Sequence, residues 1–359
     1  GDDIRLTVDL QPNFALNQPL STFALAAFEL LDPEAGSSDA PSTGSGTGIG
    51  TGNYALDLIS VLESTLDDPR PVLSAQQFAA RGEAVAAMKA DGIEYDQRMD
   101  LLEDVTHPKP LDELLSQAFE TYASSQPWVR DFELSPKSVV RDMFERAMSF
   151  GEYIAFYKLT RSEGVVLRYL SDAYRAARQT IPDELKNEEL LDLIEWLGEL
   201  VRQVDSSLLD EWEELVHPDA ARHEQESALV PPAPRNVTTN RRAFTVLVRN
   251  EMFRRVQLAS REAYDELAAL SDDVSAEEWA DSLDAYFAEH DEILTDADAR
   301  SPAMIIVDDS AASNGLWRVR QILADPAGDH DWGIAATVDL AESAELGAAA
   351  VHVTAIDRL

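Results

Sequence analysis

Apolar side chains recur three or four positions apart through most of residues 54–216. That period matches 3.6 residues per turn and predicts amphipathic helices. YALDLISVLESTL, VLSAQQFAARGEAVAAMK, YDQRMDLLEDV and LDELLSQAFETY each show it, and together they predict an all-α bundle. Ser135-Pro136 reads as an N-cap followed by proline at the first helical position, opening SVVRDMFERAM. ELLDLIEWLGELVRQVDSSLLDEWEEL predicts one long helix, or two broken near Asp205-Ser206-Ser207.

The pattern changes toward the C-terminus. Residues 240–270 and 275–290 read as two helices, the second capped by Ser275 with Glu278 three residues on. AMIIVDD, LWRVRQILAD, GIAATVDLAE and AAVHVTAID then read as four strands separated by Gly, Asn and Asp turns. Two helices and a four-stranded antiparallel meander predict a small α+β domain over 240–359, curved like the cone-shaped nuclear-transport-factor type. The fold class expected is thus α+β multidomain, a mainly helical bundle followed by that domain.

Two stretches lack periodicity and divide the chain. Residues 34–53 are Gly/Ser/Thr-rich and predict a flexible loop, while 217–239, with its proline cluster, predicts a linker. The expected order is therefore 1–33, 34–53, 54–216, 217–239 and 240–359. In 1–33, Ile4, Leu6, Val8 and Leu10 alternate like a half-buried strand with no partner nearby, as in an interior piece of a longer chain.

Charge makes one helix conspicuous. The 359 residues carry 67 acids against 29 Lys and Arg, for a formal net charge of −38, and only five of the cations are lysine. Such acidity opposes non-specific adhesion to nucleic acid or anionic membrane, and suits a salty or strongly self-repelling setting. Yet in RSEGVVLRYLSDAYRAAR (161–178), Arg161, Arg168 and Arg175 recur every seven residues. Seven residues are just under two helical turns, so these guanidiniums fall on one stripe, with Arg178 a turn beyond. Val166, Leu170, Ala173 and Ala177, flanked by Leu167 and Tyr169, form the opposite, core-facing side. Contact with an anionic backbone explains the stripe; pairing with the chain's own carboxylates is the plainer reading.

A second arginine group, Arg235, Arg241, Arg242, Arg249, Arg254, Arg255 and Arg261, meets one acid, Glu251. On a helix Arg242 and Arg249 share one line and Arg254 and Arg261 another, so the charges spread around the cylinder. A solvated or self-docking face is favoured there over phosphate contact. Trp196 and Trp212 read as packing residues, not base-stacking platforms.

Several chemistries are excluded. There is no GxxxxGK[ST] loop and no DExH or DEAD tetrapeptide, so these residues hold no nucleotide-hydrolysing motor. No GxSxG elbow is present. Cysteine is absent, which removes disulfides and thiolate sites and fits a reducing, cytoplasmic setting. No run approaches the ~18 apolar residues of a membrane span, and GDDIRLTVDL is no signal peptide. His217 and His223 fall in the linker and His107 precedes a proline. DPAGDHDWG gathers Asp325, Asp329, His330 and Asp331 between two strands and reads as a solvated hairpin turn ahead of a metal site. Glu289-His290-Asp291 closes a helix, where capping accounts for the histidine. No catalytic, cofactor or metal residue is assigned. An enzyme built on the C-terminal domain would need a cavity lined by convergent polar groups.

RSEGVVLRYLSDAYRAARQTIPDE with LLDLIEWLGELVRQVDSSLLDEWEEL resembles the C-terminal region of actinobacterial DEAD/DEAH-box superfamily 2 helicases related to the exosome-associated Ski-type RNA helicases. ALNQPLSTFALAAFELLD, ISVLESTLDDPR, ARGEAVAAMKADGIEYDQRM, ELSPKSVVRDMFERAM and DPAGDHDWGI are similar to further parts of it, so the likeness covers almost the whole chain. None of these strings is a catalytic motif. The resemblance implies motor domains and a winged helix upstream in the parent chain, with IRLTVDL the last winged-helix strand. It places ATP and Mg in that parent and no cofactor here. It likens the EGVVLR helix to the ratchet helix lying under the translocating strand, with Arg168 the first strand contact and Arg161, Arg175 and Arg178 second. Single-stranded nucleic acid, RNA ahead of DNA, and the parent's motor domains are the implied partners; no membrane is. A protein-interaction scaffold without nucleic-acid binding is the alternative. Two features depart from the family: 34–53 looks inserted, and the acidity weakens any electrostatic hold on RNA.

Overall fold

The computed structural model of the chain describes residues 18–33, 50, 51, 53–204, 236–270, 273–296 and 298–358. The strand expected in 1–17, most of the 34–53 loop, the continuation of the long helix through Asp205–Ser207 to Trp212, and the linker up to Arg235 lie outside these residues. The chain forms two compact units, Gly1–Met143 with Met148–Trp212, and Phe144–Ala147 with Glu213–Leu359. It is mostly helical with a C-terminal four-stranded antiparallel sheet, an α+β multidomain protein. No helix among the described residues is long and apolar enough to cross a membrane.

The first unit is helical: α1 (Ser21–Phe28), α2 (Tyr54–Ser64), α3 (Arg70–Ala90), α4 (Tyr95–Glu103), α5 (Asp112–Ser125), α6 (Val140–Glu145), α7 (Phe150–Phe156), α8 (Glu163–Gln179) and α9 (Glu188–Val204). The last two residues of α6 count with the second unit. Helix α2 is buried on every face, with Leu58 and Val61 fully enclosed, and is the axis of the bundle. Helices α8 and α9 pack on it through Val166, Leu170, Ala177, Leu193 and Leu197. In contrast α3, 21 residues long, buries only Val72, Leu73 and Gln76, and α4 buries nothing. Apolar spacing alone therefore overstates the bundle here. The second half of α3 offers mainly alanines between charges, too little apolar area to hold a helix against a core.

A buried carboxylate fixes the centre. Glu63, on α2 and fully enclosed, accepts the N–H groups of Val139 and Val140 (2.9 Å each) and of Arg141 (3.3 Å), and the Tyr169 hydroxyl at 2.8 Å. It thereby caps α6 and ties α8 to α2. Burial pushes its carboxyl pKa up, opposed by these four donors. This corrects the expected helix start: α6 opens at Val140, not at Pro136, because its first N–H groups find Glu63 instead of Ser135. Ser135 and Pro136 belong to an extended approach in which Lys137 is wholly buried. Its ammonium pairs with Asp68 at 3.0 Å and donates to the carbonyls of Leu66 and Ser135.

The second unit contains α10 (Arg241–Ala259), α11 (Tyr264–Leu270), α12 (Ala276–Phe287), β1 (Ile305–Asp308), β2 (Leu316–Ile322), β3 (Trp332–Asp339), α13 (Leu340–Leu346) and β4 (Ala350–Arg358). Asn240 caps α10 through the N–H groups of Arg242 and Ala243, and Ser275 with Glu278 forms the expected capping box on α12. Among the described residues three helices stand between 240 and the sheet where two were expected: the run over 240–270 breaks after Ala259, where Glu262 takes a left-handed φ of 53°. The strands follow the expected meander, order β1-β2-β3-β4, all pairs antiparallel, with Val319 opposite Ala336 and a bulge at Ala335/Ala336. A further helix interrupts it. Asp339 accepts the N–H groups of Ala341 and Glu342, so the segment expected to extend β3 through Leu340-Ala341-Glu342 turns into α13. Alternate residues of β2 and β3 (Trp317, Val319, Ile334, Ala336, Val338) meet Phe244, Val248, Trp279 and Leu283 in one core.

Candidate nucleic-acid interface

Helix α8 is built as its sequence predicts, with one side in the core. Val166, Leu170 and Ala177 are fully buried, Ala173 is 2 % and Tyr169 5 % exposed. The guanidiniums take the other side. The regular helix begins at Glu163, two residues later than expected, because Thr160–Ser162 forms a 3₁₀ turn; an acid thus sits at the positive helix end. Arg161 stands on that turn, and Arg168, Arg175 and Arg178 stand on the helix.

The four are not equivalent. Arg161 is exposed and the Arg168 side chain is 85 % exposed, while Arg175 and Arg178 are half-buried. Asp172 lies between the heptad neighbours, 3.9 Å from Arg168 Nε and 3.6 Å from Arg175 Nη1. Burial raises the Asp172 carboxyl more than the two arginines lower it, so this bridge holds them weakly. Arg178 is fixed instead by an aromatic ring: its Nη1 donates to the Tyr174 hydroxyl at 2.8 Å, with the guanidinium carbon 5.6 Å from the ring centroid. The same hydroxyl accepts from Arg202 Nη2 on α9 at 3.3 Å, and Arg202 pairs with Glu199 at 2.8 Å. Arg202 therefore joins the cluster, which the α8 sequence by itself does not show. Lys186 closes the helix by donating to the Arg178 carbonyl at 2.9 Å.

The second arginine group divides. Arg235 lies outside the described residues, and Arg241 is exposed and paired with Asp309. Arg255 is buried at 3 % exposure, donating to the carbonyls of Glu251 and Val351. Arg254 lies 3.8 Å from Glu251, and Arg261 donates to Gln257. Arg242 is exposed and Arg249 half-buried, and among the described residues Arg241, Arg254, Arg255 and Arg261 engage groups of their own unit. Trp196 is buried at 1 % exposure as a packing residue, and Trp212 lies outside the described residues.

The histidine expectations need one correction. His290 does not cap α12. Its N–H bonds the Tyr286 carbonyl, but its ring turns toward Asp325 and Asp331 of the β2–β3 loop. His330, expected within that cluster, is exposed with φ 52°. His107 Nε2 lies 3.3 Å from the Pro136 carbonyl, and His217 and His223 lie outside the described residues.

Searches of curated proteins and of solved structures return no match to this chain. The family model described as Domain of unknown function (DUF3516) matches residues 1–356. That span is nearly the whole sequence, and the chain belongs to this family.

Proposed function

We propose that this chain is the accessory, non-catalytic C-terminal region of an ATP-dependent helicase, guiding a single strand of RNA (or DNA) past α8. The motor domains of the parent chain, with ATP and Mg, supply the chemistry, and the cytoplasm is the setting. One observation carries the reading: in a protein of net charge −38, Arg161, on the turn that leads into α8, and Arg168, on α8 and only loosely bridged to Asp172, are exposed beside a helix whose other side is locked in the core. A rigid helix with exposed cations suits phosphate contact, which positions a strand without reading its bases. Arg175, Arg178 and Arg202 extend the line at lower exposure.

Asp172 favours a second reading, a protein-interaction scaffold whose arginines serve the chain's own carboxylates. Salt-titrated binding of the full chain to fluorescein-labelled single-stranded RNA separates the two. Strand guidance predicts log K falling with log salt at a slope near −0.7 per phosphate contact, and a shallower slope in Arg161→Glu with Arg168→Glu. No binding, or a slope near zero, leaves the scaffold. In the parent helicase, Arg168→Glu with Arg175→Glu should lower unwinding per ATP hydrolysed; unchanged coupling would sink the guiding role.

A further inference from the structure

The β2–β3 loop and the end of α12 bring together side chains that lie far apart in sequence. His290 stands three residues beyond Phe287; Asp325 and Asp329 stand in the loop after β2. One potential ligand atom from each lies within 4.8 Å of the others. His290 is 8 % and Asp325 3 % exposed, while Asp329 is open to solvent.

The spacing of the imidazole is informative. Nδ1 lies 3.8 Å from Asp325 Oδ1, and Nε2 lies 3.6 Å from Asp331 Oδ1. Both separations exceed a hydrogen bond. Nε2 and Asp331 Oδ1 are both shielded from solvent, and among the described residues neither makes a hydrogen bond. Buried polar atoms are ordinarily satisfied, so this pair calls for an explanation. His352, the other histidine between carboxylates, shows the contrast. Its nitrogens sit 2.8 Å from Glu342 and 3.1 Å from Asp273, closed hydrogen bonds that leave no room between them.

We propose that His290, Asp325 and Asp329 form a binding site for a divalent first-row transition ion of the zinc or manganese class. Two donors on one ion at about 2.1 Å stand roughly 3.0–3.6 Å apart, close to the spacing of Nδ1 and Asp325. The opposite ring nitrogen faces Asp331, and a slight tilt of the ring on coordination would close the 3.6 Å gap to a hydrogen bond with that outer carboxylate, the kind that commonly orients a metal-bound imidazole. Asp325 is itself held for the role, its two oxygens accepting the N–H groups of Asp329 (3.1 Å) and His330 (2.8 Å). The His290 ring is steadied against Tyr286, at 4.9 Å between centroids. Arg358 engages Asp331 and Glu289, leaving the charge of Asp325 and Asp329 to match a divalent ion. An imidazole with two carboxylates suits zinc or manganese better than the all-oxygen shells of calcium and magnesium. Bound there, the ion would staple the end of α12 to the sheet.

The test is calorimetric titration of the chelator-stripped full chain with ZnCl₂ in about 0.3 M NaCl, which screens the diffuse surface charge. The expected result is one saturable Zn²⁺ per chain, weakened roughly tenfold or more in Asp329→Asn and in His290→Gln. Asp329 is exposed, so its variant keeps the fold, checked by an unchanged thermal midpoint in metal-free buffer; it decides the matter should His290→Gln unfold. Absence of a one-to-one event, or wild-type affinity in Asp329→Asn, overturns the site. RNA binding by α8 is measured separately, and its success or failure leaves this outcome untouched.

Discussion

At the scale of single residues, Glu63 ties three helices of the first unit together, α2, the start of α6, and α8. Removing its carboxylate strands the N–H groups of Val139, Val140 and Arg141 and the Tyr169 hydroxyl in a dry interior. An unsatisfied buried donor costs about 1–3 kcal/mol, and neighbouring donors do not add fully. Glu63→Ala should therefore lose about 3–5 kcal/mol in denaturant unfolding, several stranded donors less their overlap. Glu63→Gln keeps an acceptor oxygen and should lose visibly less. A loss under about 1 kcal/mol in Glu63→Ala would show that the capping of α6 is redundant. None of this was legible in the sequence. ISVLESTL shows a helix with a glutamate on it, but the groups that need that glutamate lie more than 70 residues away. The Ser135-Pro136 signal was real as local chemistry and lost to a better acceptor. His290 follows the same logic: its neighbours in sequence suit capping, and its neighbours in space come from a loop about 35 residues on.

Among elements, legibility follows burial. Helices α2, α8 and α9 are visible in the sequence because their apolar spacing and their buried faces coincide. The four strands are visible because β2 alternates inward and outward residues and Asp, Asn, Gly and Pro lie in the segments between them. Helix α13 hid in a strand-like run, although Asp339 three residues before Glu342 spells an N-terminal cap. The arginine stripe was legible in register but not in exposure, since the sequence cannot show that Asp172 touches two of its members and Tyr174 holds a third. The α8–α9 contact also depends on a residue without a side chain. A Cβ on Gly198 would stand 2.7 Å from Tyr174 Cε2 and 3.2 Å from Arg202 Nη1. Tyr174 is 2 % exposed and has nowhere to swing. Gly198→Ala gains about 1 kcal/mol of helix propensity but incurs overpacking of about 1–3 kcal/mol, so the clash should prevail. The variant should unfold at lower denaturant and, with the Tyr174 hydroxyl displaced, bind RNA more weakly through Arg178. Equal or higher stability would mean that the two helices are free to separate.

Across the whole molecule, charge sets two trends that run in opposite directions. The chain carries 67 acids against 29 lysines and arginines. Several of those cations are committed to the fold, Lys137 with Asp68 and Arg255 with Glu251 among them, and because each takes one acid with it the net excess of 38 acids stays uncompensated. Repulsion among the uncompensated carboxylates opposes the compact state, and salt screens it over a Debye length of about 30 Å at 0.01 M but 3 Å at 1 M. Thermal stability should therefore rise as NaCl increases from about 0.02 to about 0.5 M, most steeply at the low end where screening changes fastest. RNA affinity should fall over the same interval, because the counterions displaced by phosphate contacts gain less entropy on release into a saltier solution. The two curves test different charges. The stability curve reports the summed acidic surface and should be nearly the same in Arg161→Glu with Arg168→Glu, where four charge units change on a background of −38. The affinity curve reports the α8 guanidiniums and should flatten in that variant. A midpoint that stays flat or falls with salt would mean that specific ion pairs, not net repulsion, dominate the electrostatics of folding. The open arginines of α8 would then have to be weighed as members of that pairing network instead of as a surface offered to a polyanion.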